Sequence, residues 1–288
     1  MPELPDLAVL ARSCDEDLKG KRISRVWVGQ PKCLNLSPDA FAYVVLGQGI
    51  VGVRPRGKWA LFSLDRGDIL AINLGMGGEV RLRSADEEPD PARERVVLRF
   101  EGGDQLWIHF WWFGHVHVVS RGDLSSHPQL EKLGPDPLAA AFTPEALGAL
   151  LAGRRGALKH YLLDQSFVAG IGNVYVQDIL WRARLHPLVP ARDLSPTDVA
   201  RLHRALRHVL EEGIRWGGGP GERDVWGVEG RYADHLQVGY RTGKPCPNCE
   251  TAVEELRVGK TTSYLCPRCQ PAPRRGCRPV PFAGAAER

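Results

Sequence analysis

Short apolar runs, several of them alternating with polar residues, fill most of the first 120 positions of the chain. Their length and the turn residues that separate them are typical of β-strands. Two separators, Asp-Arg-Gly-Asp at 65–68 and Glu-Gly-Gly-Asp at 101–104, have the composition of hairpin turns. Evenly spaced short strands with such turns predict a sandwich or a barrel. The predicted strands are residues 23–28, 51–53, 59–64, 69–73, 79–82, 96–100, 105–110 and 116–120.

Helical spacing flanks this strand region on both sides. Before it, Leu7, Leu10, Cys14 and Leu18 recur three and four residues apart, which predicts an amphipathic helix over residues 5–19. After the strand region, a Pro-Asp-Pro linker is followed by a second region with helical spacing. There the sequence predicts four helices, which begin near residues 143, 159, 173 and 195.

Composition narrows the class of protein. The 288 residues suffice for two domains and a small module. The net charge of +4 is compatible with an anionic partner but does not require one. No apolar run is long enough to span a bilayer, and no signal peptide opens the chain. We therefore expect a cytoplasmic protein with a disordered basic tail over residues 271–288, which are rich in Pro, Arg, Gly and Ala.

The seven cysteines are unevenly distributed, and an odd number favours metal binding in a reducing compartment over disulfides. Cys14 and Cys33 have the surroundings of core residues, and Cys277 is left over in the tail. Two C-x-x-C pairs separated by sixteen residues predict one zinc site with four thiolate ligands. Four ligands leave no open position, so this Zn²⁺ should be structural. The ligands are Cys246, Cys249, Cys266 and Cys269.

The start of the chain carries candidate chemistry. If Met1 is trimmed, Pro2 exposes a secondary amine, and an α-amino group has a reference pKa near ~8 against ~10.4 for lysine. Such an amine can attack an electrophilic carbon and form an iminium. Glu3 and Asp6 place carboxylates nearby for proton transfer. The plainer alternative is that Pro5 and Asp6 simply begin a helix.

Two further motifs indicate anion binding. Gly170 and Gly172 permit tight turns ahead of Asn173, where exposed N–H groups at a helix N-terminus can contact a phosphate. A helix–helix turn without a ligand is the alternative. Lys58, in the basic run 54–59, could neutralise a phosphate or stabilise charge at a reacting sugar. A solvated basic turn is the alternative there.

These motifs together resemble one family. The chain is similar to formamidopyrimidine-DNA glycosylases and endonuclease VIII enzymes over nearly its whole length up to Gln270. The resemblance implies a multidomain α+β fold. Its parts would be an N-terminal β-sandwich with an N-terminal helix (1–130), a helix–two-turn–helix domain (136–235) and a C-terminal zinc-finger β-hairpin (236–270). The motifs that carry it are residues 1–6, 56–58, 74–76, 164–175, 182–187 and the four cysteines, in this order.

The function implied by the resemblance is base-excision repair. The protein would be a bifunctional DNA glycosylase and abasic-site lyase that flips a damaged nucleotide out of duplex DNA. Pro2 would attack the sugar C1′, displace an oxidised base through a Schiff base, and cleave the strand by β/δ-elimination. The protein would act as a monomer, and at the nucleoid if the source is bacterial. The loop at about 217–234 would shape the base pocket without revealing which lesion it accepts.

The resemblance also implies roles for single residues. Glu3 would be the acid–base group near the sugar, and Asp6 takes the position of a family glutamate that is one methylene longer. Lys58 and Asn173 would hold the phosphates that flank the flipped nucleotide. The other expected DNA-binding residues are Met76, Trp111 and Phe113, around the gap left by the base, with Lys159 and Lys260.

Three positions depart from the family pattern. Trp111 stands where relatives often carry an arginine that pairs with the orphaned base, so discrimination of the opposite base should differ. The alternative is that Trp111 and Trp112 are ordinary strand aromatics, one inward and one outward. Thr261 replaces the phosphate-binding arginine of the finger, with Arg257 and Lys260 as candidate replacements.

The third departure is Ala8, where many relatives are acidic. These changes suggest an altered lesion preference or weakened glycosylase activity. Two other functions remain open from sequence: a non-catalytic binder of damaged or bent DNA on the same scaffold, and a zinc-ribbon protein without a DNA role.

Overall fold

The computed structural model describes residues 1–273, so the predicted tail and Cys277 lie largely or wholly outside the described residues. Within that range the chain divides into two compact units, Met1–Lys132 with Gly213–Ala233, and Leu133–Glu212 with the residues from Asp234 onward. None of the helices in the described range has the length and apolarity needed to traverse a bilayer.

The helices are α1 (Leu4–Leu18), α2 (Pro38–Val45), α3 (Pro144–Leu151), α4 (Leu158–Leu163), α5 (Tyr175–Arg182) and α6 (Pro196–Arg215). The strands are β1 (Ile23–Val28), β2 (Ile50–Arg56), β3 (Trp59–Leu64), β4 (Ile69–Asn73), β5 (Glu79–Arg83), β6 (Val96–Phe100), β7 (Gln105–His109), β8 (His115–Val119), β9 (Glu254–Val258) and β10 (Thr261–Leu265).

The first unit contains two antiparallel four-stranded sheets, ordered β2-β3-β4-β8 and β1-β6-β7-β5. One hydrophobic cluster joins them: Leu10 of α1, Phe62 and Leu70 of the first sheet, and Val96 and Ile108 of the second are all buried in it. Each such side chain contributes roughly 1.5–3 kcal/mol when fully buried. The predicted β-sandwich and α+β class are confirmed.

Helix α1 begins at the chain's start because Glu3 and Asp6 cap it. Glu3 N donates to Asp6 Oδ2 at 2.6 Å, and the Glu3 carboxylate accepts from the backbone of Asp6, which completes a capping box. Pro5 lies in the first turn, where its missing N–H costs nothing. Local capping thus fixes where the first residues of the chain lie.

Helix α2 was not predicted from sequence. Ser37 caps it by accepting from Ala40 N at 3.3 Å, and Pro38 occupies its first position. Its eight residues are mostly apolar, and Phe41 and Val45 are the buried ones. So short a helix shows too few polar positions for the 3.6-residue period to stand out.

The segment Gly213–Ala233 is tied to α1 and β5 of the first unit. Gly219 N donates to Asp6 Oδ1 at 2.8 Å, and Val225 N donates to Ser13 Oγ at 3.2 Å. Val225 O in turn accepts from Leu82 N at 2.9 Å. These bonds position the loop beside the start of the chain.

The second unit contains α3–α5, most of α6 and the β9–β10 hairpin. Asp178 on α5 is buried and accepts from the backbone N–H groups of Gln237, Val238 and Gly239 at 2.9–3.2 Å. Gln270 donates to Leu185 O at 2.9 Å and so fastens the end of the finger to the helices. These buried side-chain bonds fasten the segments on either side of the β9–β10 hairpin to the helical part of the unit.

Candidate active site and nucleic-acid-binding residues

The amino terminus lies against the loop that follows α6. Met1 N is 3.8 Å from Glu222 Oε1, an ion pair within the first unit. Pro2 is buried. In the chain as described, Pro2 N is an amide and has no nucleophilic lone pair. Removal of Met1 would turn the same nitrogen into a secondary amine.

Two carboxylates of α1 surround this terminus. Both oxygens of Asp6 accept backbone N–H groups, from Glu3 and from Gly219, so its main structural role is to join α1 to the loop. Glu3 is 3% exposed and belongs to the capping box. The proton-transfer roles of Glu3 and Asp6 stay predictions.

Glu222 is a third carboxylate at this site, which the sequence analysis did not single out. Burial raises the pKa of Glu222 to about 7, and the negative charges of Asp6 and Glu3 add to the rise, while the Met1 amine opposes it. Its sequence surroundings, Pro-Gly-Glu-Arg-Asp, are those of an exposed loop. The capping bonds of Asp6 bring it to the terminus, and no local pattern reveals that contact.

Lys58 lies at the tip of the β2–β3 hairpin, half-buried, in a two-residue turn closed by the Arg56–Trp59 pair. Gly57 takes φ 57° there, which favours glycine. Asn73 Nδ2 donates to Lys58 O at 2.8 Å, and Asn73 Oδ1 accepts from Gly75 N at 3.0 Å. The turn that carries Lys58 is therefore bonded to the loop that carries Met76.

An exposed apolar surface, here called the aromatic wedge, comprises Met76, Trp111, Trp112 and Phe113. Their exposed fractions run from 48% to 74%. Met76 N donates to Trp112 O at 2.9 Å, and Trp111 N donates to Met76 O at 3.1 Å. Strand β7 ends at His109, so neither tryptophan belongs to a strand, and the alternative of one inward and one outward side chain is wrong.

Close backbone packing fixes the shape of the wedge. Gly75 has φ 51°, and a Cβ there would lie 2.1 Å from Trp112 O. A Cβ on Gly77 would lie 2.7 Å from Trp111 Cδ1, so the indole rests on bare backbone. The His109 ring meets Trp111 edge to face with centroids 4.6 Å apart. Trp111 is thereby held with one face supported and about half of its surface in solvent.

Asn173 precedes α5 in the second unit, after the Gly-Ile-Gly turn. Gln165 orders that turn: its Oε1 accepts from Gly170 N at 2.8 Å, and its Nε2 donates to Ile171 O at 2.9 Å. Gln177 Nε2 donates to Asn173 Oδ1 at 3.0 Å and to Thr262 O at 3.2 Å. The buried Gln177, which the sequence analysis missed, thus connects Asn173 to the finger hairpin.

Lys159 requires a correction, because the sequence analysis placed it on DNA. It is 0% exposed, and its Nζ donates to Thr262 O at 2.8 Å and Ser263 Oγ at 2.7 Å. A side chain held inside the protein cannot reach a phosphate in this arrangement. Lys159 instead positions β10, and burial lowers its pKa from 10.5 to about 7.

This lowered pKa predicts a pH dependence of stability. Between the folded pKa near 7 and the unfolded value near ~10.4, the unfolded chain binds a proton that the folded chain does not, so stability rises with pH. From pH 7 to pH 9 we expect the wild type to gain roughly 1–2 kcal/mol relative to Lys159→Met. Urea unfolding at both pH values measures the difference. Lys244→Met, at an exposed lysine of the same unit, should keep the wild-type dependence.

The finger hairpin presents two of the expected cationic residues at its tip. Gly259, with φ 58°, and Lys260 form the two-residue turn between β9 and β10. Lys260 and Arg257 are both exposed, whereas Thr261 lies half-buried with its hydroxyl donating to Val258 O at 3.2 Å. Either cation can therefore meet a phosphate, and Thr261 cannot replace an arginine there.

The four predicted zinc ligands come together in the second unit, and all four Sγ atoms lie within 4.8 Å of one another. The Sγ–Sγ separations are 3.8 Å for Cys246–Cys269, 3.4 Å for Cys249–Cys266 and 3.5 Å for Cys249–Cys269. A tetrahedral zinc with Zn–S bonds of about 2.3 Å requires Sγ–Sγ separations of about 3.8 Å. Trp181 Nε1 donates to Cys246 Sγ at 3.3 Å, the kind of outer contact that supports a thiolate ligand. The donors fit one structural Zn²⁺, as predicted.

Three family models match successive parts of the chain. Residues 1–127 match the model of the formamidopyrimidine-DNA glycosylase N-terminal domain, and residues 133–223 match its H2TH domain. Residues 243–272 match the zinc finger found in FPG and IleRS.

Individual relatives agree with these matches. The chain is 40% identical to a formamidopyrimidine-DNA glycosylase of Chloroflexus aurantiacus over 261 residues, covering 89% of this chain and 92% of the relative. It is 38% identical to the one from Roseiflexus sp., covering 88% and 93%. A solved complex of Lactococcus lactis Fpg with abasic-site DNA aligns with a TM-score of 0.87 at 26% identity, covering 94% of this chain and all of that one. A complex of that protein with DNA containing N7-benzyl-Fapy-dG aligns with a TM-score of 0.88 at 27% identity, with the same coverage. The extent of these matches, together with the capped start and the four-thiolate finger, shows that the chain belongs to the formamidopyrimidine-DNA glycosylase family.

Proposed function

We propose that the chain is a bifunctional DNA glycosylase and abasic-site lyase that removes oxidised bases from double-stranded DNA. It would work as a monomer in the bacterial cytoplasm, at the nucleoid. The observation that carries this proposal is the amino terminus itself. Pro2 is fixed by the α1 capping box in a cluster of three carboxylates, where loss of Met1 leaves a secondary amine. The family membership gives that amine a DNA substrate to act on.

In the reaction, the lone pair of Pro2 N attacks C1′ of the damaged nucleotide, and the C1′–N bond breaks with its electrons leaving on the base. Opening of the sugar gives an iminium between Pro2 and C1′. Loss of a C2′ proton then expels the 3′ phosphate, and a second elimination expels the 5′ phosphate. Glu3 is the group proposed to exchange protons near the sugar.

Cations and amides supply the binding that this chemistry needs. Lys58 in the first unit, and Asn173, Lys260 and Arg257 in the second, are proposed to hold phosphates. The aromatic wedge is proposed to occupy the space left by the flipped base, since exposed aromatic rings stack on bases. Phosphate contacts predict that affinity falls steeply as salt is raised.

The proposal is tested by borohydride trapping on duplex DNA with one abasic site, using protein whose mass shows loss of Met1. A covalent protein–DNA adduct, together with strand cleavage, is expected. Binding without adduct or cleavage would instead support a non-catalytic binder, and binding that is absent or insensitive to salt would overturn the DNA role.

Trp111 should read the opposite strand by stacking and not by hydrogen bonding. An indole offers one N–H donor and no acceptor, so abasic duplexes that differ in the base opposite the lesion should bind with nearly equal affinity. Trp111→Ala should weaken binding to all of them by about 10- to 100-fold, since base stacking contributes about 1–3 kcal/mol. Fluorescence anisotropy measures these affinities. Trp27→Ala is the control and should leave them unchanged, since Trp27 is an exposed tryptophan on β1, which β6 separates from β7.

A further inference from the structure

Glu222 belongs to the loop after α6, and that loop holds it at the start of the chain. Its backbone is fixed on both sides: Glu222 N donates to Gly219 O at 3.2 Å, and Glu222 O accepts from Gly230 N at 2.9 Å. Gly219 in turn is bonded to Asp6. The side chain is 21% exposed and reaches within 3.8 Å of the terminal amine. Glu222 thus keeps its place through backbone bonds that a side-chain substitution would not remove.

The charged groups that act on this carboxyl are few. Asp6 and Glu3 on α1 are the negative ones, and the terminal amine is the positive one. Arg223, the neighbouring cation in the loop, pairs with Glu229 at 3.1 Å. Burial and the two like charges raise the proton affinity of Glu222, so that its pKa moves to about 7. A carboxyl with such a pKa can gain and lose a proton at neutral pH.

Trimming of Met1 moves the amine by one residue, about 3.8 Å between successive Cα atoms. The new terminus is Pro2, which the first turn of α1 and its capping box already hold. We therefore expect the secondary ammonium of Pro2 to take the place of the Met1 ammonium beside the three carboxylates. That ammonium must lose a proton before it can attack carbon.

We propose that Glu222 is the proton acceptor for the Pro2 ammonium, a catalytic carboxylate in addition to Glu3 and Asp6. This inference rests on the proposed lyase function. The proton moves from Pro2 N to a Glu222 carboxylate oxygen, the freed lone pair forms the bond to C1′, and the neutral carboxyl then releases its proton to water. Glu3 keeps its proposed role in proton exchange at the sugar.

The test compares Glu222→Gln with Glu229→Gln, which alters an exposed glutamate of the same loop. Single-turnover cleavage of abasic duplex at saturating protein should slow about 100-fold or more in Glu222→Gln at pH 7, with DNA affinity unchanged. The wild-type rate should rise through pH 7, because the carboxyl must be ionised to accept a proton. In Glu222→Gln this rise should move to higher pH, where the Pro2 ammonium, with a reference pKa of about 8, loses its proton to solvent. Glu222→Asp should restore part of the rate together with the pH dependence, and Glu229→Gln should match the wild type.

The outcomes separate this inference from the proposed function. If the wild type forms the borohydride adduct and Glu222→Gln keeps its rate and pH profile, Glu222 is not the proton acceptor. If the wild type forms no adduct, the lyase function itself fails. A loss of DNA binding in Glu222→Gln equal to its loss of rate would also overturn the inference, because it would make Glu222 a binding residue.

Discussion

Replacing Pro2 with leucine is expected to abolish the borohydride-trapped adduct and to slow cleavage at an abasic site by about 1000-fold or more. A large second residue retains Met1, so the terminal amine becomes primary and lies one residue away from its proper place. The capping box that holds the terminus does not involve the Pro2 side chain, so α1 should still form. Covalent trapping and gel-resolved cleavage measure the effect, and intact mass confirms that Met1 is retained.

The matched control is Pro31→Leu, the same replacement at an exposed proline of the first unit. It should leave trapping and cleavage at wild-type levels. An adduct of normal yield from Pro2→Leu would show that another amine, such as that of Lys58, is the nucleophile.

Removing zinc is expected to have the largest effect on stability. Structural zinc sites of this kind supply about 10–16 kcal/mol of apparent folding free energy, far more than a two-stranded hairpin can supply by packing. Cys266→Ser, or chelation of the wild type, should therefore unfold the β9–β10 hairpin and weaken duplex binding by at least about tenfold, because Lys260 and Arg257 lose their fixed positions. The measured zinc content should fall below one Zn²⁺ per chain.

Hydrogen exchange provides the structural measurement. The amides of Thr261–Leu265 should lose protection, and Asn173 should be loosened with them, since Gln177 joins it to Thr262. Cys33→Ser, at a buried cysteine of the first unit, should keep its zinc and the protection of the hairpin. Full protection of β10 in metal-free protein would contradict the role assigned to zinc.

The sequence predicted the sandwich well because its strands are bounded by strong turn residues. Strands at 23–28, 59–64, 69–73 and 96–100 have the predicted bounds. The zinc ligands could also be predicted, because the spacing of the two C-x-x-C pairs is typical of a four-thiolate zinc site. In both cases the signal lies within a few neighbouring residues, which is what periodicity and motif spacing can report.

The residues that sequence could not reveal depend on contacts between distant segments. Glu222 reaches the terminus through Asp6, more than two hundred positions away. Lys159 has the look of a cationic surface residue in a helix, yet Ser263 and Thr262 bury it. Gln177 similarly gains its role from a hairpin some eighty residues later. These roles depend on tertiary packing, which no local sequence pattern reveals.

The amide of Asn73 joins the turn at residues 57–58 to the loop at residues 73–76. Because Asn73 bonds to Lys58 O on one side and to Gly75 N on the other, a displacement of the turn that carries Lys58 should be transmitted to the loop that carries Met76. In the proposed DNA complex, Lys58 and Met76 should therefore engage the duplex together. Attempts to retune this protein toward other lesions should treat residues 57–58 and 73–76 as a single module, because a shift in one half displaces the other.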